Sequence, residues 1–289
     1  MFVFKAAVVG AGTMGGEIAQ VCAAAGVDVV LKDVEQKFVD AGLEEARNVT
    51  AGQMGGLVKK EKITQEQADE QIAEILGRID GTTSYDGFGD VDFVIEAVPE
   101  KMEIKHDVFN ELDAATPGHA ILASNTSGLS ITEIADATNR PDKVVGFHFF
   151  WPASVMRLIE VVEGEETSQD TLQAAANFAQ AIRKTPIRAA ECPGFVVNRI
   201  LTSTASEIWR YQDESGVDPA ALDEHIQQAQ NMPMGPFRVA DMSGLDTVLK
   251  VARDMHAAYG DRFYVHKGME KLVGEGHLGA KSGKGFYEH

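Results

Sequence analysis

Predominantly apolar runs recur along the first two thirds of the chain, separated by segments whose apolar residues fall at helical spacing. The runs are Ala6-Ala7-Val8-Val9, Val27 to Leu31, Val91 to Val98, Ala120 to Ala123, Val144 to Phe150 and Val155 to Val162. Consecutive apolar residues suit strands buried on both faces, as in a parallel sheet covered by helices. Ile18, Val21 and Cys22 follow the first run at helical spacing, and Lys101 to Ala115 reads as another helix. Residues 36–76 read mostly as helix with interruptions at Gly52 and Gly55-Gly56. Their second half opens at Thr64, an N-cap with Gln67 in capping-box spacing. Two helices between the second and third strands exceed an ordinary crossover, which marks residues 36–77 as an excursion with a task of its own. Thr82-Thr83-Ser84 reads as a short strand or its edge. Strand patterning stops near Ala189, and the remainder is helical. There Asn198 and Arg199 interrupt an apolar face continued by Ile200, Leu201 and Ile208, Asp218-Pro219 opens a helix, and Leu245 to Tyr259 forms another.

The first run leads into Gly10-Ala11-Gly12-Thr13-Met14-Gly15, a Gly-x-Gly-x-x-Gly spacing between a strand and a helix. Gly10 suits the tight turn out of the strand, Gly12 leaves the backbone open to a pyrophosphate, and Gly15 lets the helix pack closely on the sheet. Thr13 and Met14 begin the helix, whose N–H groups would face the phosphates. Glycine-rich turns are common, so the specificity lies in this context. The second run ends at Asp33, eighteen residues beyond Gly15. A carboxylate there would accept both ribose hydroxyls of an adenosine and repel a 2′-phosphate, which selects NAD over NADP. The pattern predicts an α/β, Rossmann-type dinucleotide-binding domain over residues 1–190, carrying the helical excursion, and an all-helical domain over residues 191–289. Pro193-Gly194 is the expected hinge.

Composition narrows the partners more than the fold. The 289 residues suffice for two domains, and a formal charge of −18 with no basic stripe argues against nucleic acid. The two cysteines, Cys22 and Cys192, suit neither a disulfide framework nor a metal cluster and read as reduced thiols of a cytoplasmic protein. No run reaches the length of a membrane span, and the N-terminus leads directly into the first strand, so neither a membrane nor a signal peptide is expected. Against so acidic a background, Lys59-Lys60-Glu61-Lys62 stands out as the clearest basic cluster.

Ligands of open α/β sheets bind outside the carboxyl ends of the strands, which brings forward Glu96, Glu100, Asn125 and Ser127. Ser127 has an ordinary alternative as the cap of the helix carrying Ile131, Ile134 and Ala135. His148 lies in an apolar strand, and Glu160 interrupts Leu158-Ile159-Glu160-Val161-Val162, where a carboxylate is costly to bury unless paired. His148 is its natural partner and Arg157 a competing one. If the two strands are neighbours, Glu160 holds one imidazole nitrogen and leaves the other as a base. Each residue alone has a plainer explanation, a core histidine bound to a backbone carbonyl or a glutamate on the wet face of its strand. Removing a hydroxyl proton while hydride leaves carbon requires a base titrating near neutrality, with neither metal nor nucleophilic cysteine.

Glu96-Ala97-Val98-Pro99-Glu100-Lys101, Ser124-Asn125-Thr126-Ser127, His148-Phe149-Phe150, Pro193 to Arg199, Met234-Gly235-Pro236-Phe237 and Gly283 to Tyr287, together with the glycine loop, occur in one order from end to end. In these motifs the chain resembles the short-chain L-3-hydroxyacyl-CoA dehydrogenases, including the bacterial 3-hydroxybutyryl-CoA dehydrogenases. The resemblance implies a Rossmann-type domain followed by a helical domain carrying a homodimer interface. It also implies reversible oxidation of an L-3-hydroxyacyl-CoA to the 3-ketoacyl-CoA with NAD. By position, His148 would be the general base, Glu160 its orienting partner, Ser127 a hydrogen-bond donor to the substrate oxygen, and Asn198 a substrate contact beside the nicotinamide. The carry-over on the cofactor side reaches Asp33, Glu100, Lys105 and Lys281. In the family the helical excursion meets coenzyme A, which points to Lys59 or Lys60 as a phosphate contact; the same lysines would also suit a solvated turn.

One position departs from the family. Trp151 stands where an asparagine is usual, in His148-Phe149-Phe150-Trp151-Pro152, and an indole offers one donor and far more volume than an amide. The glycines of the excursion are a second departure, expected to loosen the coenzyme A flap at about 1 kcal/mol each in a helix interior. The resemblance therefore constrains the reaction type more tightly than the acyl substrate. Two rival functions follow, a dehydrogenase of a hydroxy acid that is not a coenzyme A thioester, and a non-catalytic NAD-binding protein with a structural role. The joint presence of Ser127, His148, Glu160 and Asn198 argues against the second.

Overall fold

The computed structural model describes residues 2–289. The chain divides into one compact unit ending at Cys192 and another running from Pro193 to His289. The first is built on a single sheet of eight strands, β1 (Lys5–Val9), β2 (Asp28–Lys32), β3 (Ile79–Thr82), β4 (Phe93–Glu96), β5 (Ile121–Ser124), β6 (Val144–Phe149), β7 (Leu158–Glu163) and β8 (Thr185–Ala190). Their spatial order is β3-β2-β1-β4-β5-β6-β7-β8. Strands β1 to β6 pair in parallel, β7 runs antiparallel to β6, and β8 is parallel to β7. The chain leaves β1 toward β3 in one direction and β4 toward β8 in the other, so the direction of winding reverses between β1 and β4. A crevice opens at their carboxyl ends, the position at which such sheets bind nucleotides.

Six helices connect the strands: α1 (Thr13–Ala24), α2 (Gln36–Lys59), α3 (Gln65–Leu76), α4 (Met102–Ala115), α5 (Ile131–Ala135) and α6 (Gln169–Ala181). Val8, Leu31, Ile95, Ala123 and Phe147 pack with Ile18 and Cys22 of α1 and with Phe178 of α6 in one apolar cluster. Ala7, Val30, Val94 and Leu122 alternate with them along the strands and are buried too, on the opposite face. Burial on both faces explains why the strands read as continuous apolar runs.

Four expectations from the sequence are corrected by the fold, three of them in the first unit. The third strand is Ile79–Thr82 rather than residues 82–84; Asp80 and Gly81 disguise it, since neither favours strands, and its pairing with β2 settles its place. Helix α2 runs through Gly52, Gly55 and Gly56 without a break. A side chain at any of these glycines would meet nothing, so they mark no close approach, and the cost of glycine is spread over a helix of 24 residues. Strand β7 begins at Leu158 instead of Val155, and residues 151–157 form the turn leading into it. The Thr64 capping box is present, with Gln67 N–H donating to Thr64 Oγ1 and Thr64 N–H to Gln67 Oε1.

The second unit comprises α7 (Val197–Ser215), α8 (Pro219–Gln230), α9 (Pro236–Ser243), α10 (Leu245–Tyr259) and α11 (Lys267–Gly274). Trp209, Phe237, Leu245, Leu249 and Met269 form its core. Asp218 caps α8 by accepting from Ala220 and Ala221 N–H. The buried stripe of α7 is Thr202, Ser206 and Trp209; of the expected apolar face Ile208 packs on the core, whereas Ile200 and Leu201 are exposed. The Ser206 hydroxyl can be buried because it is satisfied: Oγ donates to Thr202 O and accepts from Tyr264 N–H. Among the described residues no helix is long and apolar enough to cross a membrane.

His266 is the N-cap of α11 and is almost wholly buried. Its Nδ1 accepts from Met269 N–H at 2.9 Å, which makes Nε2 the protonated nitrogen, donating to Gln212 Oε1 at 2.7 Å. Burial pushes the imidazole below its ordinary value of 6.5, against the opposing charge of Asp213. The unfolded chain therefore binds this proton more readily than the folded one. The stability that His266 contributes is complete above about pH 6.5 and is lost as the pH falls through the lower folded value. The urea midpoint should fall between pH 7.5 and pH 5, and His266→Asn, which keeps an N-cap acceptor that cannot titrate, should flatten that part of the dependence while lowering stability overall.

Candidate active site

The crevice between β1 and β4 is lined by the glycine loop. Gly10 adopts φ +100°, donates to Lys32 O at 2.8 Å, and lies so close to β4 that a Cβ would meet Ala97 O at 2.6 Å. A Cβ on Gly12 would meet nothing within 4 Å, so the backbone there faces open space. Thr13 and Met14 form the first turn of α1, which has no capping side chain and no acidic residue. An N-terminus left in this state attracts anions through its N–H groups and the helix dipole. Asp33, just past β2, is fixed against the loop: Oδ2 accepts from Ala11 N–H at 2.6 Å and Oδ1 from Val34 N–H at 2.6 Å. Open backbone, uncapped helix and fixed carboxylate together fit a dinucleotide with an unphosphorylated adenosine ribose.

His148 and Glu160 stand directly opposite each other in the antiparallel pairing of β6 with β7. Cross-strand partners project to the same face, and Nδ1 of His148 lies 2.7 Å from Oε2 of Glu160. The carboxylate has no exposure and the histidine 4%. Ionised Glu160 can only accept, so Nδ1 carries the proton and Nε2 is the nitrogen that can take one up. Of the two partners open to Glu160 in the sequence, the histidine is the one to which it is bonded. The end of β6 is held in turn by Asn125, whose Oδ1 accepts from Phe149 N–H at 2.8 Å while its own N–H donates to Glu96 O.

The turn after β5 carries Ser127. Glu100 Oε1 accepts from Thr126 Oγ1 at 2.6 Å and from Ser127 N–H at 2.9 Å. Ser127 does not cap the following helix; Ser130 does, accepting from Glu133 N–H. Three residues separate the two serines, and only the later one has the helix start within reach of its side chain. Lys105 belongs to the first turn of α4 and is buried against Glu96 and Glu100. Lys59 and Lys60 close the far end of α2 and are exposed. Asn198 lies in the first turn of α7 and Lys281 in the turn near the C-terminus, where its Nζ is 2.5 Å from Asp246 Oδ1; both belong to the second unit. Trp151 follows β6, three residues after His148, and is exposed.

Glu96 escaped the sequence as a structural centre. Its carboxylate has no exposure and accepts from Lys105 Nζ, Ser124 Oγ and Val98 N–H. The signal was available, a carboxylate inside the apolar run Phe93-Val94-Ile95-Glu96-Ala97-Val98 with a lysine nine residues later.

Comparison with known proteins draws the two units together. Residues 5–192 match the model of the 3-hydroxyacyl-CoA dehydrogenase NAD binding domain, and residues 194–289 match that of the 3-hydroxyacyl-CoA dehydrogenase C-terminal domain. The 3-hydroxybutyryl-CoA dehydrogenase of Clostridioides difficile is 41% identical over 287 residues, which are 99% of each chain. The crystal structure of (S)-3-hydroxybutyryl-CoA dehydrogenase from Ralstonia eutropha aligns with a TM-score of 0.90 at 38% identity, over 100% of this chain and 99% of that one. That of FadB2 from M. tuberculosis aligns with a TM-score of 0.91 at 32% identity, over 100% of both. With both domain models matched in order and relatives aligned from end to end, the chain belongs to the 3-hydroxyacyl-CoA dehydrogenase family, an NAD-dependent oxidoreductase.

Proposed function

We propose that the chain catalyses the reversible oxidation of a short-chain L-3-hydroxyacyl-CoA, such as 3-hydroxybutyryl-CoA, to the 3-ketoacyl-CoA, with NAD as the redox partner. The observation that carries this reading is the buried His148–Glu160 pair at the carboxyl end of β6, a base held in one tautomer. Relatives of full length named for a coenzyme A ester favour the thioester over a free hydroxy acid.

NAD supplies the hydride acceptor when bound, and the chain's own residues handle the proton. His148 Nε2 takes the proton of the 3-hydroxyl, and the ring becomes an imidazolium whose charge Glu160 balances through Nδ1–H. A positioned base of this kind contributes about 10²–10⁴-fold. Ser127 donates a hydrogen bond to the substrate oxygen as it becomes a carbonyl oxygen. Glu100 holds the turn that bears it. Asn198 is assigned to substrate binding. The glycine loop, with Gly10, Gly12, Thr13, Met14 and Gly15, receives the pyrophosphate, and Asp33 the adenosine ribose. Lys281 is assigned to the cofactor, and Lys59 or Lys60 to phosphates of coenzyme A. The enzyme is taken to act in the cytoplasm as a homodimer.

The direct test is NADH oxidation with acetoacetyl-CoA, run beside NADPH and beside free acetoacetate. Rapid turnover is expected with the thioester and NADH alone; turnover of free acetoacetate without the thioester would reject the proposed substrate. His148→Ala should lower kcat by about 10²–10⁴-fold while NADH still binds, as read by its fluorescence. Asp33→Ala removes an ionised acceptor and should weaken NADH binding about 10–100-fold, whereas unchanged binding would mean that the ribose is read elsewhere.

A further inference from the structure

Trp151 is 55% exposed, whereas the other tryptophan of the chain, Trp209, is buried in the core of the second unit. It opens the turn of residues 151–157 after β6, on which Val155 and Met156 are exposed as well. The backbone of this turn is tied down by two buried charges. Glu17 of α1 accepts from Ser154 N–H at 2.8 Å through Oε2. Lys184, just before β8, donates through Nζ to Ala153 O and, at 2.8 Å, to Met156 O. Ala153 has no exposure and joins the apolar cluster under α1. A carboxylate and an ammonium are costly to bury, and both act here on one turn. The turn is thus fixed from beneath while its indole stays exposed, so little ordering remains to be done when a ligand arrives.

The place of the turn narrows what that indole meets. Trp151 stands three residues beyond His148, at most about 10 Å along an extended chain. Where His148 takes the 3-hydroxyl proton, hydride leaves the carbon bearing that hydroxyl, and the ring that accepts it has to lie within about 3.5 Å of the same carbon. The pyrophosphate end of the cofactor belongs to the first turn of α1, and Glu17 of that helix is bonded to the turn of Trp151. One turn is therefore joined by chain to the strand of the base and by hydrogen bond to the helix of the pyrophosphate, and the nicotinamide half of the cofactor has to run between those two points.

The nicotinamide ring carries a positive charge when oxidised and none when reduced. An aromatic face attracts a cation, and indole does so most strongly. The glycine loop and Asp33 are assigned to the pyrophosphate and the adenosine ribose, which are the same in both states, so neither distinguishes them. We infer that Trp151 is a specificity-determining residue for the redox state of the cofactor: its indole face meets the nicotinamide ring and retains oxidised NAD over NADH. The inference rests on the reading of His148 as the base. Turnover of acetoacetyl-CoA and its loss in His148→Ala test that reading, whereas the cofactor preference is measured with no substrate present.

The test compares both cofactors on the unaltered enzyme, W151L and W151F, with NADH followed by its own fluorescence and oxidised NAD by displacement of NADH. In W151L the ratio of the dissociation constant of oxidised NAD to that of NADH should rise about 3–30-fold. W151F keeps a weaker aromatic face and should lie between W151L and the unaltered enzyme, with a rise of about 2–5-fold. A ratio that stays the same or falls overturns the inference: with both constants unchanged the indole touches no cofactor, and with both weakened equally it is an apolar contact blind to charge. Should circular dichroism show W151L unfolded, W151F decides alone, and a ratio equal to that of the unaltered enzyme overturns the inference.

Discussion

A charge carried into the interior of a sheet must be answered there, and the catalytic half of this protein is arranged around two such answers. Glu96 and Glu160 lie in strands whose other residues are apolar, and neither has any exposure. Leaving either unpaired would cost about 3–5 kcal/mol, a large part of the net stability of an ordinary domain. Glu160 is answered across the sheet by His148, Glu96 along the chain by Lys105. The two solutions differ in consequence. The imidazole meets its carboxylate through one nitrogen and is the base proposed above, whereas the ammonium meets both oxygens of Glu96 and ties β4 to α4.

This distinction also separates what the sequence made legible from what it did not. The turn at the glycine loop, the apolar strands and the Thr64 cap could be read because each rests on local rules: a spacing, a run, a cap. The pairing of Glu160 with His148 was legible as a conditional, needing only that two strands be neighbours. The Glu96–Lys105 pair rests on the same rule, but Glu96 sits at a strand end, where a carboxylate also reads as a ligand contact. That ambiguity hid its structural part. Ile79–Thr82 was misplaced because Asp and Gly weigh against a strand, and only pairing with β2 overrides them. The face of α7 was misread because buried Thr202 and Ser206 count as polar in a pattern, although the Ser206 hydroxyl is satisfied by carbonyl and amide partners that no pattern displays.

The cofactor end raises a different electrostatic problem. A chain of formal charge −18 has to receive a doubly charged pyrophosphate, and the crevice between β1 and β4 offers it backbone N–H groups rather than lysine. The uncapped first turn of α1 concentrates positive potential in N–H groups, which carry no side-chain entropy to lose. Asp33 adds a negative charge close by, yet it is spent on Ala11 and Val34 N–H. It therefore ties the loop to the end of β2, and as the proposed ribose contact it would exclude a phosphorylated ribose.

The base depends, finally, on a register. Because side chains alternate along a strand, a slip of one residue between β6 and β7 would turn Glu160 to the opposite face from His148. The register is held by packing on either side of the pair. Gly146 lies opposite Val162 with so little room that a Cβ there would come within 2.6 Å of the valine Cβ, and Phe147 lies opposite Val161 with both buried. Shifting the strands would bring a larger residue against Val162 and carry the carboxylate away from its partner. Apolar fit and charge pairing thus select the same alignment, and His148, the proposed proton acceptor, is fixed by the strand contacts that fold the sheet.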